Sequence, residues 1–98
     1  MIRVALPFHL QTLAGCDPEI ELEVHGCVTQ RSVLDALEAR FPMLRGLVRA
    51  HDTQERRPRV RFYADGRDIT FDPADNELPA TVARGEKPFM IVGAISGG

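Results

Sequence analysis

The chain ends in Ser96-Gly97-Gly98, the one place where residue type and position together suggest chemistry. With glycine at about 7% of average usage, two adjacent glycines at a fixed position arise by chance about 0.5% of the time. One reading is a frayed end, since termini are often small and loosely held. The other starts from what glycine lacks. Without a Cβ, Gly97 and Gly98 can pass close to another protein's backbone and adopt conformations closed to other residues. Such an end would present the carboxylate of Gly98, a poor electrophile until something activates it.

The other reactive side chains fit no such scheme. Cys16 and Cys27 form no C-x-x-C pair, and two thiolates cannot hold a cluster that needs four. A disulfide between them is disfavoured in a reducing compartment. His9, His25 and His51 lack metal-ligand spacing and read as surface or turn residues, so no metal is expected. Asp65-Gly66-Arg67-Asp68 lacks the long acidic spacing of a cation loop and reads as a hairpin turn. Arg56, Arg57, Arg59 and Arg61 form a basic cluster with two readings. It is a solvated loop, or it docks on an acidic rim of a partner and speeds encounter more than it adds affinity. Nucleic-acid binding would need interleaved aromatics, and only Phe62 and Tyr63 are near.

The elements that would position the terminus follow from hydrophobic periodicity. Ile2, Val4 and Leu6 share one face of a strand over Ile2 to Pro7. Leu10 and Leu13 lead to Ala14-Gly15, read as a turn. Ile20, Leu22 and Val24 alternate with Glu19, Glu21 and Glu23 in a second strand, Glu19 to Val24, which closes an antiparallel hairpin. Thr29 is a helix N-cap, and Val33, Leu34, Leu37 and Phe41 form an apolar stripe, with Arg31, Asp35, Glu38 and Arg40 largely off it. Pro42 ends that helix near Arg40 or Phe41. Met43-Leu44 and Leu47-Val48 return across the core, and His51 to Arg59 is an exposed polar loop. Val60 to Ala64 is a third strand, Asp65-Gly66 a two-residue turn, and Arg67 to Phe71 the return strand. Asp72 to Gly85 is turn-rich, with Leu78 and Val82 pinning it to the core. Pro88 to Ile95 is apolar at nearly every position, which marks a central strand.

The order is β-β-α-β-β-β. Its compact solution is an α+β β-grasp: one main helix across one face of a mixed sheet, with the first and last strands side by side. A length of 98 residues argues for a single domain, 1–98, with 96–98 as a flexible tail. A core of that size leaves no room for an enclosed active site with its own lid. The net charge of −2 gives no case for bulk binding to nucleic acid or to anionic lipid. Apolar runs are far too short to span a membrane, and the alternating N-terminus lacks a signal-peptide plan, so a cytoplasmic location is expected.

Three segments carry a resemblance. Val33-Leu34-Asp35-Ala36-Leu37-Glu38-Ala39-Arg40-Phe41-Pro42 is similar to a V-x-x-x-L-x-x-x-[FY]-P helix. Val60 through Ile69 resembles a V-x-[VI]-[YF]-V-[ND]-G-[ER]-[DE]-[VI] hairpin. Gly85-Glu86-Lys87, Met90-Ile91-Val92 and Ser96-Gly97-Gly98 resemble a D-G-D-x-[VI]-x-[IL]-x-P-x-x-[SA]-G-G tail. The chain thus resembles the MoaD/ThiS group of ubiquitin-like sulfur carriers, and with its long loop before Val60 looks closest to the MoaD-like branch that includes CysO. It departs from the pattern at Arg84, at Glu86-Lys87 and at Gly93, which sits near a position often held by proline.

The resemblance implies that an E1-like adenylating enzyme spends ATP to make a mixed anhydride of the Gly98 carboxylate with AMP. Sulfur transfer then gives a C-terminal thiocarboxylate, which donates sulfur to a synthase making molybdopterin, the thiamine thiazole or cysteine. On that view the protein is a co-substrate, or the small subunit of a synthase, and binds no cofactor itself. Two alternatives stay open: a protein modifier joined to lysines through the same Gly98, and a non-covalent β-grasp binding module whose glycines are incidental. Partner contacts are expected beside the tail, at Ser96, at an apolar patch of Phe62, Met90 and Val92 or their alternating neighbours, and at Arg57 and Arg59.

Overall fold

The computed structural model describes residues 1–93. Among them, five strands form one mixed sheet. β1 (Ile2–Ala5) pairs antiparallel with β2 (Glu19–Leu22), with Val4 opposite Ile20. β5 (Phe89–Val92) lies parallel to β1, with Val4 opposite Phe89. On its other side β5 pairs antiparallel with β3 (Arg61–Ala64), and β3 pairs with the two-residue β4 (Arg67–Asp68). The spatial order is β2-β1-β5-β3-β4, so the first and last strands are neighbours and the last is central.

The main helix, α2 (Gln30–Arg40), starts where Thr29 allows it. Ser32 N–H donates to Thr29 Oγ1 at 3.0 Å, and Thr29 N–H donates to Ser32 Oγ at 2.8 Å. Two donors with no partner inside the helix are thereby satisfied. Phe41 N–H still reaches Leu37 O, and Pro42 then stops the helix. Val33, Leu34 and Leu37 are buried against the strand residues Ile2, Val4, Leu22, Phe62, Phe89 and Ile91. Each such side chain contributes roughly 1.5–3 kcal/mol on leaving water. A 3-10 turn at Pro42–Leu44 buries Leu44, and Val48 follows it into the same core.

Four expectations need correction. Ahead of the turn expected at Ala14-Gly15 lies a seven-residue helix that was not expected, α1 (Phe8–Ala14), bracketed by Pro7 and by Gly15 in a left-handed conformation. It buries only Leu10, so it carries almost no periodicity. β2 stops at Leu22 rather than Val24, and Val24 is only partly buried. The return strand is two residues long, because Thr70 N–H turns back to Asp68 Oδ1 at 2.8 Å and leaves the ladder. Phe71 is consequently exposed, at 75%. Glu38 is buried, drawn in by Arg49. The turn-rich segment contains a short helix, α3 (Ala80–Ala83), and Leu78 and Val82 do pin it. The Asp65-Gly66 turn has positive φ at both residues, 51° and 75°, as a type I′ hairpin requires.

Candidate functional site

Ser96, Gly97 and Gly98 lie outside the described residues, and so do the last two positions of the strand expected to reach Ile95. What the structure places is the base of the tail and the surface around it. β5 alternates strictly: Phe89 and Ile91 point into the core, while Met90 and Val92 are 41% and 40% exposed. The strand is central, yet only one of its faces is covered. On the open face Met90 sits opposite Tyr63 and Val92 opposite Arg61 on β3. Ala5 of β1 is opposite Met90 on the other side. An apolar strip therefore runs beside the strand that leads to the terminus.

Phe62 does not belong to that strip. It is 2% exposed, and its ring centroid lies 5.4 Å from that of Phe89 inside the core. Alternation along β3 sends Phe62 to the helix side and its neighbours Arg61 and Tyr63 to the open side. Its place as a surface contact is thus corrected. Arg57 and Arg59 are both exposed, and Arg57 Nε donates to Gly46 O at 2.8 Å.

Phe71 is the feature that the sequence did not single out. Two guanidinium groups cover its ring, Arg56 at 5.0 Å and Arg61 at 5.5 Å from the centroid. Exposed cation–π contacts of this kind are worth about 0.5–1 kcal/mol each. Arg61 joins this cluster to Val92, so the apolar strip has a basic, aromatic border. The signal available beforehand was the arginine run itself, but nothing local told Phe71 from a buried strand residue.

Below the border, the 51–59 loop is anchored. Arg49 donates to Glu38 and, at 2.5 Å, to Asp35. Burial lowers the Arg49 pKa, and the hydrogen bonds to Glu38 and Asp35 outweigh it, so the net direction is upward. Arg57 N–H reaches Val48 O at 2.9 Å. At the other end of β5, Lys87 pairs with Asp65 at 3.0 Å and Arg84 pairs with Glu86. Arg84 and Glu86 thus serve each other. Among the described residues no three His, Cys, Asp or Glu side chains gather to hold a metal ion. Cys16 and Cys27 are free thiols, and His9, His25 and His51 are exposed.

Known structures share this arrangement. SAMP1 from Haloferax volcanii superposes with a TM-score of 0.72 over 98% of this chain and 97% of its own, at 23% identity. The chain has the ubiquitin-like β-grasp fold. The Amycolatopsis orientalis BexX/CysO complex contains a chain that matches with a TM-score of 0.74 over the full length of both, at 19% identity. Mycobacterium tuberculosis CysO gives 0.72 over 96% of this chain and 99% of its own, at 20% identity. At such identities the likeness is one of fold. No family model matches the sequence, and no curated protein is significantly similar to it. Within the β-grasp frame the open side is the sheet face away from α2, and the end of β5 lies on it. No helix among the described residues is long and apolar enough to cross a membrane.

Proposed function

We propose that this protein is a sulfur carrier that works through the carboxylate of Gly98. The observation that carries the reading is the central strand: β5, held between β1 and β3, ends at Val92, six residues before Gly98, beside an uncovered strip of Met90, Val92 and Tyr63. Full-length likeness in fold to CysO supports it, as does the resemblance of the tail to the MoaD/ThiS pattern.

The chemistry needs a partner. A Gly98 carboxylate oxygen attacks the α-phosphorus of ATP on an E1-like adenylating enzyme, the bond to the β-phosphate bridge breaks, and pyrophosphate leaves. Hydrosulfide then attacks the carbonyl carbon, and AMP departs with the electron pair of the C–O bond. The product is a C-terminal thiocarboxylate, whose sulfur passes to a synthase of cofactor or cysteine biosynthesis. This chain supplies the reacting group and the docking surface, and the partners supply catalysis. The open strip would be the apolar centre of the contact, with Arg57, Arg59 and Arg61 at its rim steering an acidic partner surface.

A second reading is a protein modifier, favoured by likeness to a structure named small archaeal modifier protein 1, at 21% identity and a TM-score of 0.67. Intact mass spectrometry separates the two. With ATP, the adenylating enzyme and sulfide, a carrier gains the mass of one oxygen replaced by sulfur. A modifier yields higher-mass conjugates that vanish when Gly98 is deleted. Neither adenylate nor thiocarboxylate nor conjugate with a competent enzyme would leave only the non-covalent binding module.

A further inference from the structure

Gly93 closes the described part of the chain in a position with no room for a side chain. Its φ is +135°, a conformation that side-chain-bearing L-residues rarely adopt. A Cβ built on it would stand 2.1 Å from the carbonyl oxygen of Arg59, 3.1 Å from that carbonyl carbon and 3.2 Å from Val60 Cα. All three are backbone atoms, so no side chain can swing aside to make room.

The wall that Gly93 meets is itself fixed. Val60 is 1% exposed, and its N–H donates to Arg57 O at 3.0 Å. Arg56 Nη1 donates to Val60 O at 2.9 Å. Arg57 N–H is held by Val48 O, and Arg49 bridges to Arg56 across the neck of the loop. Immediately after the wall, Arg61 pairs with Val92, so the ladder carries Gly93 straight onto the Arg59–Val60 peptide. The polar loop that the sequence reads as solvated or as a docking element thus forms the stop against which the last strand ends.

We infer that Gly93 is a positioning residue: packed without a Cβ on the Arg59 carbonyl, it fixes the point from which residues 94–98 set out. The inference rests on the sulfur-carrier reading, because it concerns how the Gly98 carboxylate is delivered to a partner's ATP. Five residues reach at most about 18 Å when extended. A reach so short makes the starting point matter, since a reacting group displaced by about 1 Å can lose two orders of magnitude in rate. The loop at 51–59 therefore acts on the reaction through the backbone, without touching the reacting atoms.

The test uses the full chain with its native C-terminus in three forms: wild type, Gly93→Ala, and a variant with one glycine inserted between Gly93 and Ala94. Amide NMR spectra report the clamp without any partner. Gly93→Ala should shift the Arg59, Val60 and Arg61 signals, and the insertion should leave them in place. ATP–pyrophosphate exchange with the adenylating enzyme reports delivery. Gly93→Ala should lower kcat at least tenfold and change KM less than threefold, because the docking strip is intact. The insertion, which leaves the folded body alone, should also lower kcat, and it decides the matter if Gly93→Ala does not fold. Wild-type kcat in either folded variant overturns the inference, as do unmoved Arg59 and Val60 signals in Gly93→Ala. A wild-type chain that is never adenylated counts instead against the sulfur-carrier reading, and the spectra alone then decide whether Gly93 is clamped.

Discussion

Arg49 holds Glu38 in a two-point grip: Nε donates to Oε2 at 3.0 Å and Nη2 to Oε1 at 3.1 Å. Arg49 is 3% and Glu38 9% exposed, so both charges have left water. The pair ties α2 to the neck of the loop that carries Arg59. Removing Glu38 leaves the buried guanidinium with only the more exposed Asp35 as a partner, so the loss falls at the low end of the about 3–5 kcal/mol for breaking a buried pair. Glu38→Ala should therefore lower stability by about 3 kcal/mol in urea unfolding. The double variant Glu38→Leu with Arg49→Met should recover most of that loss, since well-packed apolar groups replace buried pairs at little cost. A double variant as unstable as Glu38→Ala would refute the assignment of the penalty to the stranded charge.

This ion pair also shows where reading the sequence stops. Strands Ile2–Ala5, Glu19–Leu22, Arg61–Ala64 and Phe89–Val92, and helix Gln30–Arg40, were legible because alternation and the 3.6-residue stripe depend only on neighbours along the chain. The central place of β5 followed from its apolar composition. What escaped depends on contacts between distant segments. Glu38 looked like a solvated helix position because its partner stands 11 residues away. Phe71 looked like a strand residue because nothing in Arg67 to Phe71 announces that Thr70 will bond back to Asp68. Phe62 was grouped with Met90 and Val92, although alternation relative to Val60 and Ala64, both buried, already put it inside. Gly93 was visible as a glycine, but its need to be one arises from Arg59, a residue 34 positions earlier. The three terminal residues on which the proposed chemistry turns were assigned from residue type and resemblance alone.

Four carboxylates predict the acid response. The hydrogen bond from Lys87, then its charge, holds Asp65 below the usual carboxylate range. Thr70 does the same for Asp68, through its hydroxyl and its backbone N–H. Arg31 lowers Asp75, and Arg84 lowers Glu86. A carboxyl whose folded pKa is depressed stabilises the fold above its unfolded pKa, and this is lost as pH falls through the folded value. The melting temperature should thus be level from pH 7 to about 5 and fall below about 4. All four groups sit at the surface, so the early part of the fall is shallow. Asp68→Asn should melt lower than wild type at neutral pH, with the gap closing in acid. Added salt should shrink the Asp65 effect, which rests on the Lys87 ion pair, more than that of Asp68, which rests first on the neutral donors of Thr70 and less on the charges of Arg61 and Arg56. A gap that stays constant down to acid pH would show that Asp68 acts through packing instead.

The two faces of the sheet make opposite predictions for substitutions only one strand apart. Met90 and Val92 stand in solvent, while Phe62 fills the core against Phe89. Met90→Asp and Val92→Asp leave the core untouched but place a poor strand former in the central strand, so each should cost about 1 kcal/mol of stability. On the docking reading each should weaken binding to the adenylating enzyme at least tenfold, which corresponds to about 1.4 kcal/mol. Phe62→Ala should do the reverse. It removes a buried ring and lowers stability by about 3–5 kcal/mol, while the fraction that stays folded keeps its affinity for the partner. Calorimetric titration at a temperature where Phe62→Ala is still folded separates the two effects. Unaltered affinity in both aspartate variants would move the contact off this strip, leaving the Phe71 cluster with Arg56 and Arg61 as the face to test next.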